Sequence, residues 1–93
     1  MNIAALTLEF HLPHTHSLKE KRACLRPLRD KFGKVSNIAV SETEYHDKHQ
    51  RAQWQCVVVG ADKAFVEQLL ASIQDYAQSG IDGVVTQNTV EWL

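Results

Sequence analysis

Within its first twenty residues the chain specifies a strand, a stop and the start of a helix, and that order restricts every fold open to it. Residues 3–12 alternate, with Ala4, Leu6, Leu8, Phe10 and Leu12 on one side and Ile3, Ala5, Thr7, Glu9 and His11 on the other. A period of two marks a strand with one buried face. Pro13 ends it, because proline lacks an N–H and restrains the residue before it. Ser17-Leu-Lys-Glu20 then has the form of a capping box. The Ser17 hydroxyl accepts from the Glu20 N–H while the Glu20 carboxylate reaches back to the Ser17 N–H. Leu18, Leu25, Leu28 and Phe32 recur on one helical stripe with Cys24 at its margin, and Gly33 is a natural stop. Pro27 interrupts this pattern. It cannot donate to the carbonyl of Ala23 and costs about 3 kcal/mol inside a regular helix, which predicts a kink near residues 23–27 or two helical pieces.

The remainder repeats the theme. Residues 35–45 predict a second strand with Ile38 and Val40 inward, and a polar loop follows from Tyr45 to Arg51. Residues 52–60 form a third strand, with Ala52, Trp54, Cys56 and Val58 on one side and Gln53, Gln55, Val57 and Val59 on the other. Asp62 caps a helix over 63–78 whose wide apolar stripe includes Phe65, Val66, Leu69, Leu70 and Ile73. Gly80 closes it, and residues 83–92 form a last strand of weaker pattern. The order β-α-β-β-α-β predicts the ferredoxin-like α+β fold, a four-stranded antiparallel sheet with two helices on one face. Right-handed crossovers put strands 1 and 3 in the centre and strands 2 and 4 at the edges. Ninety-three residues suffice for one such domain, spanning 1–93.

The formal net charge of −1 favours neither nucleic acid nor membrane, but its distribution is uneven. Residues 17–34 hold seven of the ten Lys and Arg residues against Glu20 and Asp30, a local charge of +5, and the rest of the chain carries −6. Cations also crowd the first turn of the first helix, where the partial positive charge of free N–H groups favours acids. At 100° per residue Lys19, Arg22, Arg26 and Arg29 share one arc beside the apolar stripe, and Lys21 points nearer the apolar side and snorkels. Such a row suits the phosphates of an RNA backbone. A solvated helix face balanced by the acidic remainder accounts for the same residues.

The segments His11-Leu12-Pro13, Ser17-Leu-Lys-Glu-Lys-Arg22, Val40-Ser-Glu42, Asp47 with Gln50-Arg51-Ala52, and the Val57-Val-Val run together resemble the YlxP-like proteins, a bacterial family of small domains. The resemblance spans essentially the whole chain, and the Ser17–Arg22 segment is its specific part. It implies a ferredoxin-like fold. Genes of that family often lie beside those of initiation factor 2 and ribosome-binding factor A, which implies an association with translation or ribosome assembly. Gln50 and Arg51 join the nucleic-acid-binding candidates through this resemblance and their place in a polar loop. The chain departs from the family at His49, where an aromatic is usual, and at Pro27, where an ordinary helix former is usual.

Other readings compete with RNA binding. The sheet face without helices carries Ile3, Ala5, Thr7, Val57, Val59 and, by alternation, Val85, a surface suited to self-association as a homodimer or to a protein-binding scaffold without RNA. That face offers no aromatic for base stacking, since Trp54 has the core register. His11, His14 and His16 precede the first helix, and His46 and His49 lie in the second hairpin. In this topology those two loops need not be neighbours, so no metal or other cofactor is expected. A small phosphate-directed hydrolase is the third reading. It lacks a clustered glycine loop and a Gly-x-Ser-x-Gly elbow, and His46, Asp47 and Arg51 are its sole acid–base trio, so no catalytic residue and no enzyme activity is expected. Cys24 and Cys56 lie in apolar patterns and read as reduced core thiols of a cytoplasmic protein. No apolar run approaches membrane-spanning length, and no secretory segment is recognisable.

Overall fold

Alternate residues of β1 (Asn2–His11) go to zero exposure, and this strand is the floor of the core. In the computed structural model, which describes residues 1–93, it is followed by α1 (Leu18–Phe32), β2 (Ile38–Glu44), β3 (Arg51–Gly60), α2 (Lys63–Ser79) and β4 (Val84–Trp92). The four strands form one antiparallel sheet in the order β2-β3-β1-β4, as the βαββαβ order predicts. Opposite Leu6 and Leu8 of β1 stand Cys56 and Trp54 of β3, so both central strands direct their apolar residues to the helices. Helix α1 packs on β2, while α2 lies over β3, β1 and, more thinly, β4. On that thin side Val90 and Trp92 keep 37% and 40% of their surface exposed. Phe65 also leaves the stripe assigned to it and lies exposed.

Two local features differ from expectation for physical reasons. The β1–β4 register slips at Glu9/Phe10, which adds one residue to β4 and sets Val85 opposite Phe10. Val85 therefore packs on the core rather than on the open face. Helix α1 is one unbroken element through Pro27. Both Pro27 and Ala23 are exposed, so the carbonyl that proline leaves without its helical donor faces water.

The helix ends follow their sequence. The Ser17 hydroxyl accepts from Glu20 N–H at 3.1 Å, and the Glu20 carboxylate lies 3.4 Å from that same hydroxyl instead of on the Ser17 N–H. Asp62 accepts from Ala64 N–H at 2.9 Å. Gly33 and Gly80 stop their helices without left-handed backbone, both having negative φ. Close approach accounts for glycine there. A Cβ on Gly33 would lie 2.6 Å from the Arg29 carbonyl oxygen, and one on Gly80 would lie 2.6 Å from the Tyr76 ring.

Candidate nucleic-acid interface

The apolar stripe of α1 fixes what its other faces present. With Leu25, Leu28 and Phe32 held in the core, Arg22, Arg26 and Arg29 emerge together on the flank that overlooks β2. All three are exposed, and they line one groove of about 450 Å³. The opposite wall is Val40, Ser41 and Glu42 of β2, with Trp54 of β3 and His46 of the β2–β3 loop. None of the three arginines takes part in an ion pair, the two pairs in the molecule being Lys21–Glu42 and Arg51–Glu9. The one acid lining the groove, Glu42, is already engaged with Lys21, and the groove presents net positive charge. Trp54 is buried as its register requires, and its indole N–H has no partner. Lys19 is exposed on the same helix but does not line the groove.

Lys21 does not belong to this surface. It is 1% exposed, and its ammonium meets the Tyr45 carbonyl at 2.8 Å, the Arg51 carbonyl at 3.3 Å and Glu42 Oε2 at 3.3 Å. Three donors find three acceptors, which is what lets a charged group sit inside. The snorkelling expected of Lys21 fails because the β2–β3 hairpin closes over it, and no phosphate can reach it. The signal was present in the sequence, since Lys21 falls in the middle of the helical arc shared by Leu25, Leu28 and Phe32.

Gln50 and Arg51 are also turned to internal work and lie outside the arginine groove. Gln50 Nε2 donates to the Pro13 carbonyl at 3.2 Å. Arg51 donates to Glu9 Oε1 at 3.0 Å and stacks 3.8 Å from the centre of the Tyr45 ring. Glu9 in turn accepts from the Thr86 hydroxyl at 3.0 Å. Burial raises the carboxyl pKa of Glu9, but the bonds from Thr86, Arg51 and Tyr45 outweigh it and hold the group below its ordinary value.

The two histidine loops, which the topology does not require to be neighbours, come together. The Thr15 hydroxyl sits 2.9 Å from the Leu12 carbonyl and 2.5 Å from that of His49, and Leu12 N–H donates to the Gln50 carbonyl. His16, Asp47 and His49 consequently border a second, shallower groove with Thr15 and Gln50. No three His, Cys, Asp or Glu side chains anywhere in the molecule converge as a metal would need. The thiols are free and unbridged. Burial lifts Cys56 to about 11, and burial followed by the charge of Asp82 raises Cys24, so both are held as thiols at neutral pH. No helix is long and apolar enough to cross a membrane.

Comparison with known proteins agrees with this fold. Residues 3–89 match the model of a family described as "Protein of unknown function (DUF503)". No curated protein sequence matches the chain. Among solved structures, the chain is similar to the crystal structure of a proposed chlorite dismutase, TA0507, with a TM-score of 0.62 and 11% identity over 99% of this chain. It spans only 44% of that longer chain, and at this identity the similarity is one of fold. A de novo designed protein, Ferredog-Diesel, aligns over 96% of this chain and 83% of its own at 15% identity and a TM-score of 0.47.

Proposed function

The chain belongs to the DUF503 family, whose description assigns no activity, and we propose from its groove that it is a non-catalytic module that contacts RNA phosphates through α1. The observation that carries this reading is the set of three exposed, unpaired arginines, Arg22, Arg26 and Arg29, facing one groove in a molecule of net charge −1. Cations free of carboxylates keep their full attraction for a polyanion, and phosphate contacts position a protein on RNA without reading its sequence. Lys19, exposed at the start of the same helix, extends the row. The YlxP-like resemblance of Ser17–Arg22, with its gene neighbourhood, supports a cytoplasmic accessory role at the ribosome. The test is RNA retention and co-sedimentation with ribosomal fractions. Changing Arg22, Arg26 and Arg29 together to Glu should abolish both while leaving the unfolding midpoint within a few degrees, since all three are exposed. Retention equal to that of the unaltered protein rejects the reading.

A second reading rests on the helix-free sheet face. Val57 is 42% exposed there beside half-buried Ile3, Ala5 and Val59, a patch suited to a second copy of the chain and to a protein-binding scaffold without RNA. Sedimentation of a dimer that Val57→Lys dissolves, with no RNA retained, would favour it over the first.

A further inference from the structure

We infer, building on the phosphate-binding reading above, that the α1–β2 groove takes a single strand of nucleic acid, about three nucleotides at a time, in preference to a duplex. The first ground is shape. The arginines do not crown a convex ridge; they form one wall of a groove whose other wall is Val40, Ser41, Glu42, His46 and Trp54. A duplex carries its phosphates on a stiff outer surface, and modules that read double-stranded RNA by shape span ~16 base pairs across two minor grooves. A single strand bends into a narrow charged channel and brings its phosphates to the cations that line it, as sequence-tolerant single-strand binders do.

The second ground is length. From Arg22 to Arg29 the helix rises about 10 Å at ~1.5 Å per residue. The three unpaired arginines along it can each neutralise one phosphate, so the groove engages about three. Glu42, paired across the sheet with Trp54 and already bound to Lys21, lines the same groove and adds no attraction for a further phosphate. Trp54 lines the groove at 7% exposure with its indole N–H sealed from solvent, so it offers no free face for stacking and serves as a reporter of what fills the groove.

Fluorescence anisotropy with a labelled single-stranded oligoribonucleotide and with the same strand annealed to its complement tests this directly. The single strand should bind at least tenfold more tightly, and its affinity should fall about eighteenfold between 50 and 200 mM salt, the response to roughly three neutralised phosphates. In a Trp92→Phe protein, Trp54 is the sole tryptophan, and its emission should shift on adding the single strand alone. Equal or tighter duplex binding overturns this inference and leaves the phosphate reading standing. Binding of neither form at low salt overturns both. Single-strand binding that leaves Trp54 emission unchanged, or that survives Arg26→Gln undiminished, also overturns the groove as its site.

Discussion

Lys21 and Arg22 are neighbours in sequence and opposite in fate. One step of 100° along α1 takes the chain from a sealed interior to an open groove. Lys21 pins the helix to the β2–β3 hairpin, and one of its acceptors is the carbonyl of Tyr45, the single non-glycine residue with positive φ, at 63°. That carbonyl also accepts from Lys48 N–H at 3.0 Å, so the same atom closes the turn and receives the lysine. Holding Tyr45 in the left-handed region costs of order 1–3 kcal/mol, which the ammonium contact and the Arg51 stack offset. Lys21→Met keeps the aliphatic bulk and removes the charge. It leaves Glu42 unpaired and removes the ammonium from the Tyr45 and Arg51 carbonyls, and should destabilise the fold by about 3 kcal/mol. For a domain of this size that lowers the melting midpoint by more than ~10 °C, readable by thermal denaturation. A midpoint unchanged by Lys21→Met would mean that the lysine is not a structural pin.

At the scale of the element, α1 serves two surfaces, and its proline sits on neither. Pro27 lies opposite the buried arc, away from the groove, and its helix runs on without a break. Replacing it with Ala restores a hydrogen bond to Ala23 and removes a helix-interior penalty of about 3 kcal/mol, partly balanced by the freedom that the unfolded chain regains. Pro27→Ala should therefore stabilise the protein by about 1–2 kcal/mol in urea denaturation and leave the proposed RNA retention unchanged, because the arginines project from a different flank. A loss of stability would show that the proline shapes the helix to its seat. The elements themselves were legible from periodicity, caps and stops, since each depends on residues close in sequence. Val85 and Phe65 were not, because a register slip and a thinly covered helix flank depend on how elements pack.

Across the whole molecule, the sequence located the cation row and misjudged its membership for one reason: pairing is a long-range property. Lys21 meets Glu42, and Arg51 meets Glu9 forty-two residues away, whereas Arg22, Arg26 and Arg29 meet no acid at all. Nothing in the local pattern distinguishes these fates. The sequence likewise left open whether the His16 and His49 loops meet, and the β1–β3 pairing that continues through Leu12 N–H to the Gln50 carbonyl draws them together. Glu9 shows how such pairing ties the sheet. Standing at the β1–β4 slip, it binds β3 through Arg51 and β4 through Thr86, with Tyr45 of the hairpin completing the set. Its folded pKa lies below the ordinary 4.5, so the fold prefers the ionised form. The stabilisation is present in full above that ordinary value and disappears as pH falls through the lower folded one. Glu9→Gln should be less stable by about 1 kcal/mol at neutral pH, the modest scale set by a half-exposed arginine partner. The difference between the two proteins should shrink as the medium is acidified below pH 4.5. A gap of constant size from neutral to acidic conditions, measured by urea unfolding, would mean that shape at position 9 matters and its charge does not.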